Sequence, residues 1–331
     1  MEGKIVYYLY NRSLDPYFNL ALEEYFLTNF KDEFFIVWRN DNCIVVGKNQ
    51  NTYSEINSDY VFENGIKVVR RLTGGGAVYH DKGNINFTFI KNSDAHHFSF
   101  NDFLEPIVNF LKTLDIDAKV SGRNDIVIDD KKISGNAQTI LKGRILHHGT
   151  LLYSSDIKNI SGALNVAKEK YETKAVKSVE KRVTNICDNL KERLTVEEFI
   201  EQFSRYISSN MDIKEYKLTK KDISEIQKLA DNKYSKFEWN FGISPKFKYR
   251  NIKRFPQGLI EVYLQVENSI INNVKIYGDF FSIGDIKEIE DVLKGCIYKK
   301  SEIKNRLNSL DFNKYFMGIS LDDFITVFDI N

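Results

Sequence analysis

From Asn84 to Phe89 the chain alternates without exception: Ile85, Phe87 and Phe89 point one way, Asn84, Asn86 and Thr88 the other. That period predicts a strand with one core face and one polar face. Earlier, the apolar runs FFIVWRN and CIVVGKNQ flank an Asn-Asp-Asn turn at residues 40 to 42, which predicts a helix from about Asp15 followed by a hairpin. After Asn101, apolar residues recur at helical spacing with Asp102 and Glu105 in the first turn, where the helix dipole favours acids; this helix should cover the sheet. The stretch NDIVIDDKKIS predicts a tight hairpin around Asp129 and Asp130. A two-residue turn there pairs Val127 with Lys132 and Asp125 with Ser134, so Lys132 shares a face with Asp125, opposite Ile126 and Ile133. RILHHGTLLYS predicts another strand, and helices follow from about Thr195 and about Lys220.

Towards the C-terminus, Ile260, Val262, Leu264 and Val266 alternate strictly before an Asn-rich turn and a returning strand. Short helices around Ile286 to Leu293 and Ser301 to Leu310 would cover that sheet. The block is long enough for a core of its own, which places a boundary near residue 245. The expected class is α+β: a large domain over residues 1–245, built on a mixed sheet with flanking helices, and a small α+β domain over 246–331.

Composition agrees with two folded units, because 331 residues exceed the roughly 250 to 300 at which single cores stop growing. The 47 basic and 46 acidic residues nearly cancel, so no global field recruits nucleic acid or an anionic membrane, and any anion site must be local. With neither a signal-peptide pattern nor an apolar run of about 18 residues, a soluble cytoplasmic protein is expected. Cys43, Cys187 and Cys296 lie far apart in sequence and suggest three inert thiols.

The candidate chemistry centres on RRLTGGGAVYHDKGN, residues 70 to 84. A phosphate-binding P-loop would need a Gly-Lys-Ser/Thr ending, and a dinucleotide fingerprint from Gly74 would need glycine at Tyr79; neither is present. Three consecutive glycines still let successive N–H groups converge on an anion. A flexible turn is the plainer reading of the glycines alone, as a structural salt bridge is of either arginine alone. Arg70 and Arg71 at a strand end, the hairpin lysine and the polar face of Asn84 together favour a carboxylate or phosphate site. All five histidines fall between residues 80 and 148, without metal-ligand spacing. His80 and His148 flank Gly-rich turns and are expected to hydrogen-bond inside a pocket, whereas His96 and His97 lie in a polar loop.

Four motifs in order, RRLTGGGAVYHDKGNINFTF, SGRNDIVIDDKKISGNAQ, HHGTLLYSSDI and KAVKSVEKRVTNI, resemble lipoate-protein ligase of the bacterial type. The likeness spans the first 190 residues closely, and FEWNFGISPKF with the block after it is similar to that family's C-terminal accessory domain. Thr73 stands where the family often has serine. The resemblance implies a biotin/lipoate ligase-like fold and two half-reactions: lipoate and ATP give lipoyl-AMP and pyrophosphate, then a lysine of an acceptor protein takes the lipoyl group. Implied acceptors are the lipoyl domains of 2-oxoacid dehydrogenase E2 subunits and the glycine cleavage H protein, and the implied state is a monomer.

Residue by residue, the resemblance makes Lys132 catalytic and gives the adenylate to Arg71, Gly75, Gly76, Ala77, Val78, Tyr79, Asn84, Asp125, Lys132 and Ala137, with Asp125 a magnesium ligand. Leu20, Leu22, Glu23, Arg71, Thr73, His80, Lys132 and His148 would form the lipoyl pocket. The lysine-rich, non-periodic segment from Lys168 to Ile186 is expected to be a mobile loop, and TKAVKSVEKRV within it resembles the family's adenylate-binding loop. Two rivals share parts of this outline. An ATP-independent octanoyl or lipoyl transferase would need a pocket cysteine, and a lipoyl-domain binding module would need no chemistry.

Overall fold

The computed structural model describes residues 6–92, 99–164, 182–209, 213–242 and 249–328. The chain opens with β1 (Val6–Asn11), β2 (Glu33–Trp38), β3 (Cys43–Val46), β4 (Lys67–Arg70), β5 (Val78–His80) and β6 (Asn84–Asn92). Five more strands follow: β7 (Ala118–Ser121), β8 (Asp125–Ile128), β9 (Lys131–Leu141), β10 (Arg144–Leu152) and β11 (Ile213–Glu215). Eight of them form one mixed sheet in the order β11-β1-β2-β6-β10-β9-β8-β7, while β4-β3-β5 form a second, three-stranded sheet. In the large sheet β1 runs parallel to both β11 and β2, and the pairs from β2 to β7 are antiparallel.

Apolar patterning decides which helix covers which face. Central β2 is apolar on both sides, so Phe35 and Val37 join one core while Phe34, Ile36 and Trp38 join the other. The first core takes Ile85, Phe87 and Phe89 of β6 together with α2 (Asn101–Thr113) and α3 (Val196–Ser209). The second packs α1 (Pro16–Asn29) against the sheet through Leu20, Leu22, Phe26 and Leu27. Proline at the start of α1 suits a position whose N–H has no helical partner. At α3, Thr195 Oγ1 accepts from Glu198 N at 3.2 Å and Glu198 Oε2 accepts from Thr195 N at 2.7 Å, a reciprocal cap that fixes where the helix begins.

The C-terminal block has its own core on the sheet β12 (Tyr249–Phe255), β13 (Gly258–Glu267) and β14 (Ile270–Gly278). Ile260, Val262 and Leu264 are fully buried there beneath helices over Ile286–Leu293 and Lys300–Leu307. β12 is a strand that periodicity did not announce, since none of its residues is fully buried. Phe281, just after β14, crosses over into the core of the large sheet, and partly buried Met317 packs against that core as well.

Two expectations need correction. β2 and β3 do not form a hairpin, because Arg39 to Asn42 carry the chain from the large sheet to the small one. Asn19 of α1 fixes this corner, its Nδ2 donating to Arg39 O at 2.8 Å and to Asn40 Oδ1 at 2.8 Å. In the β8–β9 hairpin, Asp129 and Asp130 adopt φ of 47° and 61°, as a tight turn requires, and Val127 pairs with Lys132. Asp125, however, pairs with Gly135 rather than Ser134, because a bulge after Lys132 inserts Ile133 into β9. The lysine-rich segment up to Lys181, His96, His97 and the expected boundary at residue 245 lie outside the described residues. No described helix is long and apolar enough to cross a membrane.

Candidate active site

The polar face of β6 is not solvated. Asn84, Asn86 and Thr88 are buried, and Asn86 joins β10, β9 and the loop after β4 in lining a cleft. Of the residues expected in a site, Leu20, Arg71, Gly75, Gly76, Ala77, Val78, His80, Lys132, Ala137 and His148 line it. His148 sits in mid-strand rather than beside a turn, paired across to Thr88 on one side and Ala137 on the other.

A chain of hydrogen bonds orients the His148 ring. Trp38 Nε1 donates to Thr88 Oγ1 at 2.9 Å, and the Thr88 hydroxyl donates to Glu23 Oε1 at 2.6 Å. His148 Nδ1 lies 2.9 and 3.0 Å from the two Glu23 oxygens, which can only accept, so Nδ1 carries a proton. On the far edge of the ring, Nε2 lies 2.8 Å from Thr73 Oγ1, which accepts from Arg71 Nε at 2.9 Å. Glu23 and Thr73 therefore stand behind the cleft wall and hold His148, rather than lining the cleft.

Both arginines spend their donors on protein oxygens. Arg70 gives hydrogen bonds to the carbonyls of Gly47, Lys48, Gln50, Trp239 and Asn240, and it is purely architectural. Arg71 donates to Val45 O at 3.1 Å, Gly74 O at 2.7 Å and Gly76 O at 2.8 Å, which shapes the glycine loop from beneath. Burial lowers both guanidinium pKa values from 12.5 to about 10. Gly75 adopts φ +90°, and a Cβ there would come within 3.0 Å of Arg71 Nη2, so the loop needs glycine at that position.

At the cleft mouth Lys132 Nζ lies 2.8 Å from Asp125 Oδ1, both side chains about one-third exposed. Gly135 leaves room for this lysine, since a Cβ would meet Nζ at 2.8 Å. The Lys132 backbone is pinned as well, its N–H donating to Arg182 O at 2.7 Å and its carbonyl accepting from Thr184 N at 3.1 Å. Lys131, its neighbour, is exposed.

Other expected residues lie off the cleft. Leu22 is packed in the α1 core, and Tyr79 turns to the far side of β5, where its hydroxyl donates to Asn42 Oδ1 at 2.7 Å. Asn84 Nδ2 donates to Asn86 Oδ1 at 3.0 Å, and it is Asn86 that reaches the cleft. Trp38, Val45, Asn124, Gly135, Asn136, Gly149 and Thr150 also line it and were not singled out from sequence. Strand parity offered a signal for Thr150, two residues beyond His148. None existed for Asn124, which meets Asn136 only through the fold, Asn136 Nδ2 donating to Asn124 O at 3.0 Å.

Among the described residues no three His, Cys, Asp or Glu side chains come together as a metal cage. A lone rim carboxylate fits magnesium, which accepts one or two carboxylates when phosphate and water complete its shell. The three cysteines are free and buried, and none lines the cleft. Burial pushes the thiol of Cys43 far above the ordinary range.

Residues 15–208 match the family model described as lipoyl protein ligase A/B catalytic domain, and residues 244–328 match bacterial lipoate protein ligase C-terminus. The chain belongs to the lipoate-protein ligase family. This ligase is 46% identical over 317 residues to lipoate-protein ligase LplJ of Bacillus subtilis, covering 94% of this chain and 96% of the relative. Among solved structures it is similar to P. falciparum LipL1 in complex with lipoate, with TM-score 0.78 and 30% identity over 92% of this chain and 95% of that one. It is also similar to lipoate-protein ligase A bound with ATP, with TM-score 0.63 and 31% identity over 74% of this chain and all of that one.

Proposed function

We propose that the ligase joins lipoate and ATP into lipoyl-AMP with release of pyrophosphate, then passes the lipoyl group to a lysine of a lipoyl domain. The acceptors are 2-oxoacid dehydrogenase E2 subunits and the glycine cleavage H protein. The observation that carries this reading is the position of Lys132: its amine stands at the mouth of a cleft walled by Leu20, Trp38, Val45 and Val78 on one part and by the glycine loop on another. Such a cleft offers an apolar slot for an acyl chain beside positive charge and main-chain N–H groups. Lipoate in one similar structure and ATP in another support this choice of substrates.

In the first step an oxygen of the lipoate carboxylate attacks the α-phosphorus, and the bond to the bridging oxygen breaks with its electron pair leaving on pyrophosphate. Two anions must approach, so the site needs fixed positive charge in poorly hydrated surroundings. Lys132 supplies it, touching both the carboxylate and the α-phosphate oxygens, while the backbone from Gly75 to Tyr79 and Ala137 hold the nucleotide, Arg71 by shaping the glycine loop from beneath and Asn84 by holding Asn86 at the cleft. Magnesium held by Asp125 would neutralise phosphate charge when bound. In the second step the acceptor amine attacks the acyl carbon, the C–O bond to AMP breaks, and the nitrogen loses a proton as the amide forms. Lys132 then stabilises the carbonyl oxyanion.

Leu20 shapes the apolar slot with Leu22 packed behind it, and His80 and His148 form the polar wall, His148 held from behind by Glu23 and Thr73. The catalytic unit spans residues 1–245 and the accessory unit 246–331, a division supported by the separate core around β13. A covalent transferase route is disfavoured by the lack of any cysteine on the cleft. Pyrophosphate release from ATP plus lipoate, with an ATP-dependent mass increase on a lipoyl domain or H protein, tests the proposal. Folded protein that releases no pyrophosphate would refute it.

A further inference from the structure

His80 is buried at 3% exposure and lines the cleft, yet its Nε2 has no partner among the described residues. Its Nδ1 lies 3.1 Å from Asn40 Nδ2, and behind Asn40 stands a run of buried amides. The direction of that run can be deduced. Asn19 Nδ2 lies 3.0 Å from Ser13 O and 2.8 Å from Arg39 O, and carbonyls only accept, so the nitrogen of Asn19 must occupy that place. Asn40 then faces it with its oxygen, at 2.8 Å, because two amide nitrogens would oppose donor to donor. The Asn40 nitrogen is left facing His80, where it must donate to Nδ1, and in the neutral ring the proton is therefore on Nε2.

Asn11 anchors the other end. Its Oδ1 accepts from Ser13 N at 3.3 Å and its Nδ2 donates to Asn19 Oδ1 at 2.7 Å, the same polarity read from an independent backbone group. The ring also stays neutral, since burial, with the nearby charges of Arg71 and His148, lowers its pKa from 6.5 to about 3.

We propose that Asn11, Asn19 and Asn40 are positioning residues that lock the His80 proton on Nε2 and hold that N–H toward an acceptor atom of the bound acyl substrate. Resting on the lipoate reading above, the inference names the chemistry His80 recognises: a carboxylate oxygen or a ring sulfur, each able to accept. An orphaned buried donor gains most when such an acceptor arrives.

Nitrogen NMR of the ligand-free wild-type protein tests the lock directly. His80 should show a protonated Nε2 and an unprotonated, accepting Nδ1, and Asn40→Asp, whose carboxylate can only accept, should move a proton onto Nδ1. A protonated Nδ1 in the wild type overturns the relay. For the substrate contact, Asn40→Leu should raise the KM for lipoate about tenfold with kcat changed much less. The same substitution in a His80→Gln background should have little further effect, because a glutamine amide carries its donor whatever Asn40 does. Equal losses in both backgrounds would show a merely structural role and overturn it. A parallel rise in KM for octanoate assigns the carboxylate oxygen, and a rise confined to lipoate assigns sulfur. A rise for neither refutes the contact. Wild-type protein that forms no lipoylated product would defeat the lipoate reading while leaving the NMR result intact.

Discussion

Lys132 Nζ and Asp125 Oδ1 lie 2.8 Å apart on neighbouring strands, a rim pair in which one partner is proposed for the acyl phosphate and the other for magnesium. Lys132→Ala should lower pyrophosphate release a hundredfold or more, about what loss of one preorganised donor costs. Lys131→Ala should leave it near normal, because that side chain faces solvent. Similar rates for the two variants would show that strand parity does not select the amine.

Thr73 joins the Arg71 guanidinium to the His148 ring through one hydroxyl. Thr73→Val keeps the shape and removes that hydroxyl, so stability should fall by about 1–3 kcal/mol as buried donors lose a partner. Thr73→Ser should lose much less. Urea unfolding of the two variants gives the comparison, and a valine variant as stable as the serine one would show that the link contributes nothing.

Acid should weaken the fold before carboxylates begin to titrate. The unfolded His80 ring takes its proton near pH 6.5 but the folded one only near 3, and buried His147 is likewise shifted well below 6.5. Between those values the unfolded chain binds more protons, so stability is full above pH 6.5 and falls as pH falls. Urea midpoints measured from about pH 7.5 down to about pH 5 should decline, and less steeply in His80→Gln. Parallel declines in the two proteins would count against a neutral folded His80.

Phe281 carries the C-terminal block into the core of the large sheet, its ring 5.7 Å from that of Phe100 and 4.2 Å beneath the Arg123 guanidinium. Phe281→Ala should cost about 3–5 kcal/mol, as for other fully buried aromatics. A loss near zero in denaturant titration would mean that the seat closes without it.

How far the sequence foretold the fold depended on the range of the forces involved. β6 was legible because alternation is local, and the Asp129–Asp130 turn because its φ requirement is local. The corner at Asn40 was not, since Asn19 and His80, its partners, are remote in sequence. Arg71 was expected to await an anion, but its main partners are backbone carbonyls, which every residue carries and no composition records. Expected site residues divided the same way. Those whose side chains alternate toward the cleft from β5, β9 and β10 line it, while Glu23 and Thr73 contact His148 from behind the wall. The bulge at Ile133 left no trace in the pattern, because an isoleucine looks the same in register or out of it.

That bulge has a consequence for how the site could change over time. Lys131 and Lys132 are chemically identical, and only odd or even position along β9 decides which amine meets the cleft. Substitution at other positions cannot exchange them, but loss or gain of one residue in the turn could, by turning the whole strand over. The amine proposed for catalysis is in this sense protected by counting, and a one-residue frame of backbone guards it more closely than any neighbouring side chain.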